Sequence, residues 1–173
     1  VDIRTITKAA NISIGSFYQY FHDKDDLYLY LMSDIEKKIY AKEKEKSGYF
    51  LMDSDMIPIE EICTEKEIAF NDTWYNVPVE VMMKFYFGEY SKELNSNVFD
   101  ELKELQASGK IKDSIDIDFV FHIYATSMFN ILMYFRENNI TDNEEILAIK
   151  KKFYNNWFLN AIMNEPSEAF ISS

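Results

Sequence analysis

The chain has 173 residues, of which 47% are hydrophobic and 28% charged, and its formal net charge is −12 at pH 7. This length suffices for one or two domains with a buried core. Four glycines and three prolines are few chain breakers, which argues against a many-turned β-sandwich or barrel and favours long helices. A single cysteine excludes a disulfide framework and a cysteine-rich zinc site, and two histidines leave little for a histidine-based metal site or catalytic triad.

The acidic charge is concentrated in the second part of the chain. Residues 1–46 contain eight basic and eight acidic side chains, so the whole excess lies after Lys46. A charge of −12 argues against a nucleic-acid partner, because Lys and Arg drive binding to phosphates. The neutral N-terminal segment removes this objection for residues 1–46, although neutrality does not itself indicate DNA binding.

Two short helices are predicted at the start of the chain. Asp2 is a good N-cap for a helix that runs to about residue 10, and Asn11 tolerates the left-handed backbone of a tight turn. Ser13 is then the N-cap of a second helix over residues 14–20.

A third, longer helix follows. Asp23 is its predicted N-cap, Asp26 takes the place of the capping-box residue, and Ser47-Gly48 ends the helix after residue 46. Leu27, Leu31, Ile35 and Ile39 form its predicted apolar stripe. Two short helices joined by a tight turn and followed by a longer helix are typical of a helix-turn-helix motif.

The rest of the chain is also predicted to be helical. No convincing alternation of apolar and polar residues indicates a strand, so the predicted fold class is all-α. The predicted helices span residues 58–76, 79–94, 98–108, 117–138 and 143–164. Residues 119–135 form an uncharged stretch of 17 residues, at the lower limit for a membrane span. Because this stretch includes polar side chains such as His122 and Asn130, we expect a buried helix at a subunit interface. No secretory signal is visible, and we expect a soluble cytoplasmic protein without a membrane partner.

The segment from Ile3 to Leu27, IRTITKAANISIGSFYQYFHDKDDL, resembles the DNA-binding signature of the TetR family of bacterial transcriptional regulators. The resemblance rests on the Ala-Ala pair before the turn, the Ser and Gly after it, the aromatic-Tyr run, the Phe, and the Lys-acid-acid-Leu opening of the third helix. It covers 25 of the 173 residues. The remainder resembles the family only in length and helical character.

Two departures from the family pattern matter. Asn11 stands where the family usually has Gly, and we expect little effect because Asn also tolerates the left-handed region. The family has a further helix before the one that starts at Asp2, and that helix packs across the motif. We therefore expect the natural protein to be longer at its N-terminus.

The resemblance implies a DNA-binding domain over residues 1–46, whose second helix is the recognition helix in the major groove. Gly15 would let the backbone approach DNA closely, Gln19 suits adenine, and Lys24 would bind phosphate at the start of the third helix. Ile14 stands where the family often has Lys, so one positive contact is lost, and Arg4 is either a phosphate contact or a solvated charge. The predicted DNA-binding residues are Arg4, Ser13, Ile14, Gly15, Ser16, Tyr18, Gln19, Tyr20 and Lys24.

The resemblance also implies that residues 47–173 form a helical domain for effector binding and dimerisation. Helices 117–138 and 143–164 correspond to the family's dimer-forming pair, and their broad apolar faces agree with a homodimer. The effector is expected to be a small hydrophobic molecule, and the acids Glu67, Asp72, Glu80 and Glu89 favour a cationic one. The candidate ligand-binding residues are Phe70, Trp74, Tyr75, Met82, Met83, Tyr86, Tyr90, His122, Met128 and Phe129, although such side chains at helical spacing are also what an ordinary core contains.

These observations predict a ligand-responsive DNA-binding transcriptional regulator, of which the family's common form is a repressor released from a palindromic operator. The alternative is a dimeric helical interaction module that does not bind DNA. No Gly-rich phosphate loop, nucleophile elbow or zinc-protease motif is visible, so we expect no enzyme, no catalytic or metal residues and no cofactor.

Overall fold

The structure is a computed structural model that describes residues 1–51 and 57–164, so part of the predicted 47–173 domain lies outside the described residues. The fold is all-α, as predicted. The α-helices are α1 (Ile3–Ala9), α2 (Ile14–Tyr18), α3 (Lys24–Ser47), α4 (Ile59–Ile62), α5 (Glu65–Asp72), α6 (Val79–Tyr86), α7 (Lys92–Ala107), α8 (Ile117–Glu137), α9 (Asn143–Lys152) and α10 (Asn160–Ile162). Two 3-10 helices, Thr73–Asn76 and Glu89–Ser91, and a π-helix, Phe153–Leu159, complete the helical elements of the described ranges.

The predicted caps at the N-terminus are confirmed. The side chain of Asp2 accepts a hydrogen bond from the Thr5 N–H at 2.7 Å, and that of Ser13 accepts one from the Ser16 N–H at 2.9 Å. Asn11 has a φ of 54°, so it makes the left-handed turn between α1 and α2 as expected. Each cap satisfies a backbone donor that the helix itself leaves unpaired.

The third helix also begins and ends where the sequence predicts. Asp23 accepts a hydrogen bond from the Asp26 N–H at 2.8 Å, and Gly48 ends α3 with a φ of 79°. The capping-box detail is wrong: the Asp26 carboxylate accepts from the His22 N–H at 2.8 Å, one residue before the cap.

Two predicted helix boundaries in the middle of the chain are wrong. The helix predicted over residues 58–76 is divided into α4, α5 and a 3-10 turn, because Thr64 forms a capping box with Glu67 and starts a new helix. The helices predicted over 79–94 and 98–108 are instead separated at Gly88, where an added Cβ would collide with the Lys84 carbonyl oxygen.

The last two predicted helices begin at the predicted residues, 117 and 143, where the side chains of Asp116 and Asp142 act as N-caps. The helix predicted over 143–164 is not a continuous α-helix, because it passes through the π-helix Phe153–Leu159 before α10. A short antiparallel β-bridge joins Ile111 to Met163 and fixes the end of α10 beside the loop after α7.

Helix α3 connects the N-terminal helices to the rest of the molecule. It contacts α4, α5, α6 and α7, and the Lys38 ammonium binds the Glu67 carboxylate at 2.9 Å. The predicted stripe on α3 is only partly correct: Ile35 is buried, but Leu31 is 39% exposed, and Leu29 and Met32 supply the most buried apolar contacts. The inward face of α3 therefore includes positions that the predicted stripe omits.

Candidate DNA-binding surface and interior cavity

The N-terminal helices are held together by one buried aromatic side chain. Phe17 of α2 is 2% exposed, and its ring packs against Tyr18 and Phe21 with centroid distances of 5.5 Å. Phe21 contacts Tyr30 of α3 at 5.7 Å. This chain of rings fixes α2 relative to α3 while the other face of α2 stays open to solvent.

The open face of α2 carries most of the predicted DNA-binding residues. Tyr18 and Tyr20 are 55% and 79% exposed, and Ile14 is 44% exposed. Of the remaining predicted residues, Ser16 is partly buried, and Arg4, Ser13, Gly15, Gln19 and Lys24 are exposed. The structure thus places these side chains on α1, α2, their flanking turns and the start of α3.

Two of these residues have informative surroundings. The Ser16 hydroxyl lies 2.8 Å from the Ser13 hydroxyl, so these side chains share a hydrogen bond beside the cap of α2. A Cβ added to Gly15 would meet only Ser13 Oγ, at the ordinary contact distance of 3.6 Å. Packing within the chain therefore does not require glycine at this position.

Charge on this surface is sparse. Lys24 is 61% exposed, and its ammonium lies 3.9 Å from the Asp25 carboxylate, which makes a loose surface ion pair. Arg4 lies on α1, and its carbonyl oxygen accepts a hydrogen bond from the buried Thr7 hydroxyl at 3.1 Å.

Residues 1–31 match the family model described as "Bacterial regulatory proteins, tetR family". This match supports a TetR-family regulator whose helix-turn-helix region lies at the start of the chain. Comparison of the chain with curated proteins and with solved structures gives no match. The family match supports a DNA-binding transcriptional regulator, and members of this family are generally non-enzymatic and usually dimeric.

Beyond the TetR-family region, a cavity of about 540 Å³ lies between α3, α4, α8, α9 and the segment that joins α5 to α6. Its volume falls in the range of small-molecule sites. Four of the ten candidate ligand-binding residues line it, namely Trp74, Tyr75, Tyr86 and Met128. Burial raises the pKa of Tyr75 to about 12 and raises that of Tyr86 further, so both phenols are neutral donors at pH 7.

The other six candidates lie elsewhere. Met82 is fully buried in the core beside Trp74, and Phe70, Tyr90 and Phe129 pack against the same cluster. Met83 is 49% exposed, because consecutive residues of an α-helix point about 100° apart and Met83 is turned away from the core that buries Met82. His122 is also exposed. The aromatic composition thus marked side chains both of the cavity wall and of the adjoining core, without separating the two.

The acids expected to favour a cation are mostly engaged with other partners or distant from the cavity. Glu67 pairs with Lys38 and caps α5, and these hydrogen bonds lower its pKa to about 2. Glu89 pairs with Lys92 at 3.1 Å, Glu80 is exposed on α6, and Asp72 alone of the four lines the cavity.

Sequence reasoning missed four charged residues of the cavity wall: the half-buried Glu36 of α3 and Lys150 of α9, and the exposed Glu60 and Glu144. Glu36 follows the buried Met32 by four residues and precedes the buried Tyr40 by four, so this spacing was a readable signal for an inward position.

A shallow apolar groove runs along α8 and the π-helix, lined by Ile123, Tyr134, Ile149, Phe153 and Trp157 among others. Tyr134 and Trp157 are 51% and 56% exposed, and Phe119, at the start of α8, is 63% exposed. Large apolar side chains gathered on one face are typical of an interaction surface.

Two classes of site are not found in the part of the chain that the structure describes. No described helix combines the length and apolar character that crossing a membrane requires. Likewise, the described residues contain no group of three or more His, Cys, Asp or Glu side chains arranged to hold a metal ion.

Proposed function

We propose that the protein is a ligand-responsive regulator that represses transcription by binding a palindromic operator as a homodimer and leaves it when a small effector binds. The observation that carries this proposal is the placement of α3. This one continuous helix begins next to the exposed face of α2 and supplies a wall residue, Glu36, to the interior cavity.

In this proposal residues 1–46 bind DNA through the nine predicted residues, and α2 enters the major groove. Gln19 donates to and accepts from an adenine edge, while Tyr18 and Tyr20 reach phosphates or thymine methyl groups. Lys24 and Arg4 supply charge to the backbone of the duplex. The absence of any packing reason for Gly15 supports its role in close backbone approach to the DNA.

Residues 47–173 would form the effector and dimerisation domain. The exposed aromatic face of α8 and of the segment after α9 supports a two-fold interface between copies of the chain, corresponding to the predicted helices 117–138 and 143–164. Two-fold symmetry in the protein implies a palindromic operator, with half-sites about 34–36 Å apart or at a related spacing.

Effector control requires only that the ligand prefer one of two arrangements of α3. A coupling free energy of about 1–3 kcal/mol between the cavity and the DNA surface changes operator affinity about 5–150-fold. Because α3 belongs to both regions, a small displacement at Glu36 changes the position of α2 relative to that of the second subunit.

Fluorescence anisotropy with DNA from upstream of the protein's own gene tests the proposal, with scrambled DNA of the same composition as reference. At ~100 mM salt we expect binding to the upstream DNA alone. Lys24→Ala should reduce the slope of log binding constant against log salt concentration by about one unit per bound subunit. Lys84 is an exposed lysine on α6, and Lys84→Ala should leave that slope unchanged. Equal affinity for both DNAs, or none at ~50–100 mM salt, would favour the interaction module that does not bind DNA.

A further inference from the structure

Two opposite charges face the interior cavity from different helices. Glu36 lies on α3 and Lys150 on α9, and both line the same space of about 540 Å³. Nothing in the helical pattern pairs them along the chain, so the fold itself brings them to one cavity.

Neither charge has a close partner among the described residues. No hydrogen bond or ion pair within 4.0 Å joins Glu36 or Lys150 to any side chain that the structure describes. Desolvation raises the pKa of Glu36 and lowers that of Lys150, and each shift is only partly opposed by the other charge. The two side chains are therefore near enough to interact electrostatically but too far apart to bond.

The other charged side chains of the wall, Glu60, Asp72 and Glu144, are exposed to solvent, so Glu36 and Lys150 are its half-buried charges. Trp74, Ile131 and Leu132 are among its apolar residues, and the phenols of Tyr75 and Tyr86 are neutral. Half-buried charges without partners are poorly solvated, so a ligand that pairs Glu36 and Lys150 gains more than the same ion pairs would gain in water. A simple cation would pair Glu36 but leave Lys150 unpaired, and a simple anion would do the reverse.

We propose that the cavity binds an amphoteric, largely apolar small molecule, whose amine pairs with Glu36 and whose carboxylate or similar acceptor pairs with Lys150. This rests on the proposed function, in which the cavity is the effector site. It replaces the broader expectation of a cationic effector by a ligand that carries both charges.

The arrangement also gives the ligand a mechanical role. The amine is held by α3, the helix that follows the DNA-binding surface, and the acidic group by α9, which leads into the apolar face of the π-helix. Binding draws α3 and α9 towards a common ligand and favours one of the two arrangements of α3.

Isothermal titration calorimetry of the whole chain with three probes of equal chain length tests the pair. The probes are α-aminodecanoic acid, which carries both charges at neutral pH, decylamine and decanoic acid. We expect α-aminodecanoic acid to bind at least about tenfold more tightly than either singly charged probe. Glu36→Gln should abolish the advantage over decanoic acid, and Lys150→Met the advantage over decylamine. The controls Glu80→Gln and Lys84→Met, which remove exposed charges on α6, should leave the preference unchanged.

Three results would overturn the proposal: decylamine or decanoic acid binding as tightly as the amphoteric probe, variants that keep the parent preference, or no heat from any probe at ~1 mM. Thermal unfolding of each variant verifies that it folds, and neutralising an unpaired, half-buried charge should not destabilise the chain. Operator binding is measured separately on the same samples. If the amphoteric probe binds without changing operator affinity, effector control is contradicted and the charge-pair site stands. If decylamine alone releases the DNA, effector control stands and the charge-pair site is contradicted.

Discussion

The N-terminal head (residues 1–23) and the helical body (residues 57–164) are built in opposite ways. In the head, all of which the structure describes, only Thr7 and Phe17 are buried, and hydrogen bonds from neighbouring residues cap its helices. The body has large buried clusters, including one around Leu102 and Tyr124 and another around Trp74 and Met82. The head therefore gains little stability from packing and keeps most of its surface exposed, whereas the body combines large buried clusters with a cavity.

The largest effect on the difference between head and body is expected from a substitution at Phe17. Replacement of Phe17 by Ala should lower the free energy of unfolding of the head by about 3–5 kcal/mol, because this ring is the one large side chain buried in the head. The loss should be local: hydrogen exchange should accelerate in α1 and α2 while the amides of α7 and α8 stay protected. Tyr18→Ala, at a side chain 55% exposed, is the matched control and should change protection little. Uniform loss of protection across the body would contradict the separation of the two regions.

A second large effect is expected at the apolar face of the body. Trp157→Glu should weaken self-association at least about tenfold, because it places a charge at the centre of the proposed interface. Phe87→Glu is the control, since Phe87 is also 56% exposed but lies outside that groove. Sedimentation equilibrium measures both, and a Trp157→Glu variant that associates as strongly as the parent would rule out this face.

Gly15→Ala separates function from stability in the head. The added methyl meets only Ser13 Oγ at 3.6 Å, and Ala favours helix by up to about 1 kcal/mol over Gly, so the thermal midpoint should stay or rise. Operator affinity should fall by about tenfold, or about 1.4 kcal/mol, because the methyl keeps α2 away from the DNA. Unchanged operator affinity would mean that the backbone at Gly15 does not approach the duplex.

The smallest expected effect concerns Glu67, where the body uses a local cap like those of the head. Its pKa is lowered from 4.5 to about 2, so its carboxylate stabilises the fold above pH 4.5 and loses that contribution as pH falls towards 2. The difference in thermal midpoint between the parent and Glu67→Gln should therefore shrink over this range. Glu65→Gln, an exposed acid of the same first turn, should show a smaller difference at pH 7. A difference in thermal midpoint that does not change with pH would argue against the Glu67 carboxylate as the source of the stabilisation.

The same division explains what could be predicted from the sequence. The caps at Asp2, Ser13 and Asp23 act within three residues, so local sequence is enough to find them. The break at Thr64 was equally readable from its capping box, but the surrounding apolar spacing favoured one long helix. Gly88 ends α6 through a close approach to the Lys84 carbonyl, which depends on the path of the chain after the helix.

The candidate cavity was harder to predict, because its lining depends on how five or more elements pack. The predicted aromatic residues Trp74 and Tyr86 line the cavity, yet the neighbouring Met82 belongs to the core. Glu36 and Lys150 come from helices more than 100 residues apart, and no local pattern relates them. The apolar spacing of residues 153–159 gave no sign of the π-helix that the structure has at Phe153–Leu159.

Hydroxyl-radical footprinting of the protein on its upstream DNA tests the central claim most directly, because it reports both DNA binding and symmetry. We expect two protected half-sites related by two-fold symmetry, with centres about 34–36 Å apart or at a related helical spacing. Protection should disappear at the concentration of amphoteric probe that saturates the cavity. A single unpaired protected site, or no protection at ~50–100 mM salt, would contradict a dimeric regulator that reads DNA through α2.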